Sequence, residues 1–147
     1  MDRIIITQLK QIEDERGKVM HFLRSDWEVY KGFGEVYFST VKLGEVKGWK
    51  KHCKMTQNLV CVTGSIKLVL FDGRDDSLTR GQILEICLGD ENYCLVTVPP
   101  GIWTSFSSLR GISVLSNCAS ILHTPEEAES LPIGTKQIPY TWELKHA

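Results

Sequence analysis

Short runs of strand-forming residues recur along the chain and are separated by turn-forming residues. The predicted strands cover residues 35–41, 59–62, 66–71, 83–88, 94–98 and 113–117. Breaks such as Asp72-Gly73 and Pro99-Pro100-Gly101 lie between them. Within 66–71, alternate residues are apolar, which is the spacing of a strand with one face on a core. Evenly spaced short strands without long helical periods predict an all-β sandwich or barrel.

Two short segments carry helix signals. Segment 25–31 follows Ser25, a residue type that caps helix N-termini. Segment 124–129 combines Thr124 as a cap, Pro125 in the first turn and acidic residues after it. The sequence therefore predicts short peripheral helices at both places. The aromatic segment 138–142 is expected to dock on the body of the protein or on a neighbouring subunit.

Composition narrows the fold and the partners. A chain of 147 residues predicts a single domain, 1–147, with a core of its own. A net charge of −1, without blocks of like charge, argues against nucleic acid or an anionic membrane as the main partner. We find neither a signal-peptide pattern nor a run long enough to span a membrane. The five cysteines include no C-x-x-C pair, so we expect reduced thiols and a cytoplasmic location.

The stretch 44–64 has the spacing of the first metal-binding motif of the cupins. Lys50, His52 and Gln57 stand where metal cupins have His, His and Glu, and Thr104 stands at the last His of the second motif. A transition metal needs several converging imidazole or carboxylate ligands. The resemblance therefore implies a cupin jelly roll that has lost its metal, and predicts neither a metal nor another cofactor.

Further motifs resemble the dTDP-4-dehydrorhamnose 3,5-epimerase family. Segments 14–17, 72–81, 88–92 and 98–101 resemble its D-x-R-G, D-x-R-x-x-S-x-T-x-G, L-x-x-E-N and I-P-x-G motifs. Segment 48–65 is similar to the R-G-F-H-A-H-K-x-x-x-Q-x-L-V-x-x-x-G-S motif of sugar-nucleotide 3,4-ketoisomerases. The resemblance covers nearly the whole chain. It implies a jelly-roll homodimer that epimerises or isomerises a dTDP-linked 4-keto-6-deoxy sugar.

Such a reaction begins by removing a proton from the carbon beside a ketone. It needs a base, a group that stabilises the enolate oxygen, and an acid. The resemblance places the family's catalytic histidine on Lys50, and His52 keeps the second histidine of the ketoisomerase pair. Because imidazole has an unperturbed pKa near neutral pH, we expect His52 to move the proton. Lys50 is then a second base or a cation for the diphosphate or the enolate oxygen.

The resemblance also implies cationic ligands for the diphosphate, which favours Arg or Lys. The family's phosphate-binding arginines fall on Arg16 and Lys47. Arg74 is a further diphosphate candidate, or it stabilises the turn-rich segment around it.

Four more residues are candidate substrate contacts. Glu35 and Tyr37 share one face of a predicted strand, so both could line the cleft. Asn58 stands where the epimerases have a lysine. Trp103 is expected either to stack on the base or sugar or to belong to the core.

Two family groups have no counterpart at the expected places. The catalytic tyrosine aligns near 116–117, where there is no tyrosine, and the acid that supports the histidine should fall near 134–137, where there is no acid. An alternative reading is therefore a non-catalytic cupin that binds a nucleotide sugar or another carbohydrate. A metal-dependent oxygenase or isomerase is disfavoured by the ligand count.

Overall fold

The structure is a computed structural model and describes residues 1–143. Within this range, twelve β-strands and one single-turn 3-10 helix, Pro125–Glu127, follow one another. The strands are β1 Ile5–Gln8, β2 Gln11–Asp14, β3 Gly17–Met20, β4 Glu35–Val41, β5 Val46–His52, β6 Gln57–Thr63, β7 Ser65–Asp72, β8 Ile83–Gly89, β9 Cys94–Val98, β10 Ile102–Ser108, β11 Ser113–Ala119 and β12 Ala128–Ser130.

Ten of the strands form two five-stranded sheets, in the orders β1-β9-β6-β11-β4 and β12-β5-β10-β7-β8. All pairings within them are antiparallel, and β2 and β3 form a separate hairpin. The all-β jelly-roll prediction is confirmed. No helix among residues 1–143 is long and apolar enough to cross a membrane.

The core lies between the two sheets. Ile66, Leu68 and Leu70 of β7 are fully buried there, as the alternation of apolar residues predicts. The outer face of the β5-containing sheet is covered by the C-terminal segment, where Trp142 Nε1 donates to Ser105 Oγ at 2.9 Å. The segment expected to dock therefore packs on the body of its own chain.

Neither predicted α-helix forms. Segment 25–31 contains isolated turns, and Trp27 and Val29 pack on the outer face of the other sheet. In segment 124–129 the helix ends after one turn, and Thr124 makes no side-chain cap. The chain then pairs with β5 as strand β12, so tertiary pairing overrides the local helix signals.

Asp72 anchors the 72–81 turn from a fully buried position. Its carboxylate accepts hydrogen bonds from Arg74, Ser77 and Thr79. Burial alone would raise the pKa of Asp72, but these hydrogen bonds hold it well below its usual range.

We therefore expect Asp72→Ala to lower the free energy of unfolding by about 3–5 kcal/mol, because Arg74 loses a buried ion-pair partner. Urea denaturation measures the change. Asp75→Ala is the matched control, since the Asp75–Arg80 pair is largely exposed and such pairs contribute at most about 1 kcal/mol. Equal losses in the two variants would contradict the buried-anchor role.

Candidate active site

A β-bulge in β5 shapes the pocket. Across the β5–β10 ladder, Thr104 pairs with Lys50 and Ser105 pairs with Gly48, so Trp49 is an extra residue on β5. Gly48 has φ +120°, and a Cβ there would lie 2.6 Å from the Thr104 carbonyl oxygen, so the position requires glycine. The bulge resets the alternation of side chains. Lys47 and Lys50 therefore line the same pocket although they are three residues apart.

The pocket is a cavity of about 310 Å³ between the sheets. Its apolar wall includes Leu59, Phe106 and Leu115. Its polar lining consists of Tyr37, Ser39, Lys47, Lys50, His52, Gln57, Thr104, Asn117 and Ser130. It thus brings together four of the sequence-predicted residues, namely Tyr37, Lys47, Lys50 and His52, and its described lining contains no carboxylate. A larger surface hollow of about 650 Å³ lies along β8 and the β8–β9 turn and contains none of these four residues.

His52 is held by a buried carboxylate. Its Nδ1 lies 2.5 Å from Glu127 Oε2, and both side chains are almost fully buried. The other Glu127 oxygen accepts the backbone N–H groups of Lys54 and Met55 at 2.9 and 2.8 Å. Because the carboxylate can only accept, Nδ1 carries the proton that it donates to Glu127, and Nε2 keeps a lone pair. Nε2 is buried and has no partner among residues 1–143.

The surroundings of Glu127 favour its ionised form. Burial alone would raise the pKa of Glu127, but the hydrogen bonds from His52, Lys54 and Met55 together lower it. Sequence reasoning sought this acid near 134–137 and missed it. Glu127 is brought to His52 because β12 pairs with β5. Ala128 lies opposite His52 in this pairing, and Glu127, the residue before Ala128, contacts the imidazole. In the sequence, only the acidic composition of segment 124–129 indicated a carboxylate here.

Tyr37 brings a phenol to the neighbourhood where the family's tyrosine was expected. Asn117 lies opposite Tyr37 in the β11–β4 ladder, and its Nδ2 donates to the Tyr37 hydroxyl oxygen at 2.9 Å. The accepted hydrogen bond leaves the Tyr37 O–H free to donate into the pocket. A tyrosine on the neighbouring strand thus stands beside residues 116–117.

The remaining residues predicted from β4 and β5 lie at or near the rim. The ammonium group of Lys47 donates to Ser39 Oγ at 3.0 Å. Glu35 shares the inward strand face of Tyr37 but lies at the start of β4, outside the pocket lining. Lys47 therefore belongs to the pocket and Glu35 does not.

Asn58 and Trp103 face away from the pocket. Asn58 is buried on the outer face of β6, where it donates to the Val29 carbonyl and accepts the Thr97 hydroxyl, so it anchors the segment around Val29. Its neighbour Gln57 lines the pocket instead. Trp103 packs on the outer face of β10 in a cluster with Trp49, which makes it a core residue.

Neither predicted diphosphate-binding arginine lies in the pocket lining. Arg16 is at the tip of the β2–β3 hairpin, its side chain 87% exposed and paired with Asp14 at 2.6 Å. Arg74 donates to Asp72, to the Asp2 carbonyl and to Ser77, so its guanidinium stabilises the 72–81 turn.

The described residues do not fit a cupin metal centre. Lys50, Gln57 and Thr104 surround His52 in the pocket, so a metal there would meet one imidazole. His123 joins His52 and Glu127 in a group whose ligand atoms lie within 4.8 Å of one another. In that group, His52 Nδ1 is already engaged by Glu127.

Comparison with solved structures finds close likeness in fold. The chain superposes on the dTDP sugar isomerase of Desulfovibrio desulfuricans with a TM-score of 0.93 and 37% identity, covering 97% of this chain and 94% of that one. The fold is shared with a dTDP-6-deoxy-D-glucose-3,5-epimerase of Legionella pneumophila, with a TM-score of 0.85 and 22% identity over 98% of this chain and 80% of that one.

Sequence comparison agrees with this likeness. The chain is 30% identical over 138 residues to the probable low-salt glycan biosynthesis epimerase Agl13 of Haloferax volcanii, covering 92% of this chain and 85% of that protein. It is 28% identical to the spore coat polysaccharide biosynthesis protein SpsL of Bacillus subtilis, over 97% and 96% of the two chains. The model of the dTDP-4-dehydrorhamnose 3,5-epimerase family matches residues 1–147. A buried histidine–carboxylate pair in a jelly-roll pocket and a family match along the whole chain lead to one conclusion: the protein belongs to the dTDP-4-dehydrorhamnose 3,5-epimerase family.

Proposed function

We propose that the protein is an epimerase or ketoisomerase that removes a proton beside the ketone of a dTDP-linked 4-keto-6-deoxy sugar. The observation that carries the proposal is the His52–Glu127 pair, because His52 lines the pocket and its Nε2 atom has no partner among residues 1–143. Such a nitrogen is available to accept a proton from a bound substrate. A purely binding pocket would have no need of a buried carboxylate that fixes the tautomer of this imidazole.

Each chemical requirement has a candidate in the pocket. His52 Nε2 accepts the proton from carbon, and Glu127 stabilises the imidazolium that forms. The Tyr37 hydroxyl is placed to return a proton, and the Lys50 ammonium can stabilise negative charge on the ketone oxygen. The proton transfers need no metal ligand.

The substrate class follows from charge and size. Lys47 and Lys50 are the charged groups in the described lining, which suits an anionic substrate or intermediate. A cavity of about 310 Å³ is at the small end of ligand pockets and suits a hexose, with the nucleotide lying outward. The dTDP sugars named for the structural relatives support a dTDP-linked hexose.

A homodimer is part of the proposal. The outer face of β4, an edge strand, exposes Val36 and Phe38 to 47% and 65%. Adjacent exposed apolar residues on a sheet face favour contact with another protein surface. Arg16 lies outside the pocket of its own chain, so as a diphosphate ligand it would serve the pocket of the second subunit.

The direct test is solvent exchange. Incubation with dTDP-4-keto-6-deoxyglucose in D2O is expected to place deuterium on the carbon beside the ketone, because a proton removed by His52 is replaced from solvent. Proton NMR measures the lost signal. Thermal stabilisation by the nucleotide sugar without exchange in any 4-keto sugar nucleotide would instead establish the alternative, a cupin that binds but does not react.

Nucleotide binding has a thermodynamic signature. At a dTDP concentration of a hundred times Kd, the free energy of unfolding is expected to rise by about 2.7 kcal/mol. Arg16→Ala should remove most of this gain and leave the ligand-free protein unchanged, because the exposed Arg16–Asp14 pair contributes little. Arg24→Ala is the matched control, since Arg24 forms a similar exposed pair with Asp26. Equal gains in unfolding free energy in both variants would show that Arg16 is not a nucleotide ligand.

A further inference from the structure

Lys50 is an amine without a partner in the pocket. It is half-buried, and within residues 1–143 its ammonium group makes neither an ion pair nor a hydrogen bond. The neighbouring lysines differ: Lys47 donates to Ser39, and Lys51, on the opposite face of β5, pairs with Glu129 at 3.3 Å. The pocket therefore holds one lysine whose amine is uncommitted.

Lys50 and His52 are placed to act on adjacent atoms of one substrate. They are two residues apart on β5 and both line the pocket, so their Cα atoms are separated by about 7 Å. The long lysine side chain can converge with the imidazole on a small group between them. A ketone and the carbon beside it form such a group, with the amine at the carbonyl carbon and Nε2 at the C–H.

The chemical surroundings resemble those in which enzymes use a lysine as a nucleophile. Such lysines lie in pockets with apolar walls or beside a second cationic group, and they form Schiff bases with carbonyl substrates. Here Leu59, Phe106 and Leu115 form the apolar wall, Lys47 is the second cation, and the described lining contains no carboxylate counter-ion.

We propose that Lys50 forms a Schiff base with the ketone of the substrate, so that the reaction proceeds through an enamine in place of a free enolate. The inference rests on the proposed function, because it assumes a 4-keto sugar in the pocket. It gives the lysine that stands at the family's histidine position a covalent role.

The steps balance in atoms and charge. The Lys50 ammonium group gives a proton to solvent and the free amine adds to the ketone carbon; the carbinolamine takes up a proton and loses one water molecule, which leaves a protonated imine. His52 Nε2 takes the proton from the adjacent carbon, which leaves a neutral enamine and an imidazolium held by Glu127. The Tyr37 hydroxyl returns a proton to that carbon from the other side, and water hydrolyses the protonated imine to the Lys50 ammonium group and the ketone. His52 then loses its proton to solvent and Tyr37 regains one.

A protonated imine withdraws electrons more strongly than a ketone, so the adjacent C–H becomes more acidic. The protonated imine thus accommodates the electron pair left behind by the proton. Enzymes that form enolates use oxyanion-stabilising donors for the same purpose. The covalent bond also fixes the ketone carbon beside His52 throughout the proton transfers.

Reductive trapping tests the proposal. The protein is incubated with dTDP-4-keto-6-deoxyglucose and sodium cyanoborohydride, which reduces protonated imines, and its peptides are analysed by mass spectrometry. We expect the sugar nucleotide on the peptide that contains Lys50 in the wild type and in His52→Asn, because that variant lacks only the base. Lys50→Arg, which keeps the cation but loses the nucleophile, should give no adduct. Lys51→Arg, on the opposite face of β5, is the matched control and should be labelled as in the wild type.

Oxygen exchange provides a second measurement. In H2-18O, imine formation and hydrolysis replace the ketone oxygen, so 18O uptake by the substrate should be accelerated by the wild type and not by Lys50→Arg. Deuterium exchange without adduct and without accelerated 18O uptake would overturn the Schiff base and leave the proposed function standing. Lys50→Arg that exchanges deuterium at the wild-type rate would overturn it as well. Absence of deuterium exchange and of adduct with every 4-keto sugar nucleotide would remove both the inference and the proposed function.

Discussion

His52→Asn is expected to lower the rate of deuterium exchange beside the ketone by about 10²–10⁴-fold, the usual contribution of a general acid–base group. Asparagine has a similar size and can still donate to Glu127, but it offers no basic nitrogen at the pocket. The rate is followed by NMR in D2O with the 4-keto sugar nucleotide in excess.

The control for this variant is His21→Asn, because His21 lies outside the pocket lining. Circular dichroism and thermal melting verify that both variants fold. Exchange at the wild-type rate in His52→Asn would show that another group removes the proton.

Glu127→Gln is expected to slow deuterium exchange strongly while preserving much of the fold. The glutamine oxygen can still accept the N–H groups of Lys54 and Met55, but its amide then presents a donor to His52 Nδ1. The imidazole must accept at Nδ1 and carry its proton on Nε2, which is the wrong tautomer for a base. We expect a loss of about 10²–10⁴-fold in the exchange rate. Glu126→Gln, the exposed neighbour, is the control and should react as the wild type does.

The same position links stability to pH. Because the pKa of Glu127 is lower in the folded protein than in the unfolded chain, the ionised carboxylate stabilises the fold above the unfolded value of about 4.3. That contribution is lost as the pH falls from the pKa of Glu127 in the unfolded chain through its lower pKa in the folded protein. The difference in unfolding free energy between the wild type and Glu127→Gln should therefore shrink as the pH falls below about 4.3. A difference independent of pH would contradict the ionised state of Glu127.

The sequence predicts six of the twelve strands and part of the pocket, because both depend on local patterns. Alternation in 66–71 predicts the buried face of β7, and motif spacing directs attention to His52 and Lys50. Tyr37 could be placed on the inward face of its strand by the two-residue period alone.

The features that sequence reasoning missed depend on pairing between distant segments. Glu127 reaches His52 because β12 joins the edge of β5, although the local signals around Thr124 favour a helix. The bulge at Trp49 arises from the close approach of β5 and β10 at Gly48, and it decides that Lys47 and Lys50 share a side. Asn58 was aligned with a family lysine, but the face of β6 on which it lies is set by the sheet.

The carboxylate that orients His52 immediately precedes β12, a strand of three residues at the edge of its sheet. Short edge strands open locally far more readily than the centre of a sheet, so we expect catalytic activity to depend on how often this strand opens. In amide hydrogen exchange, Cys53 and Leu131, whose N–H groups bond across this junction, should exchange faster than the central β7 amides. On heating, activity should then decline at temperatures where the two sheets are still folded. A substitution that stabilises the pairing of β12 with β5 should extend activity to higher temperature without changing the pocket.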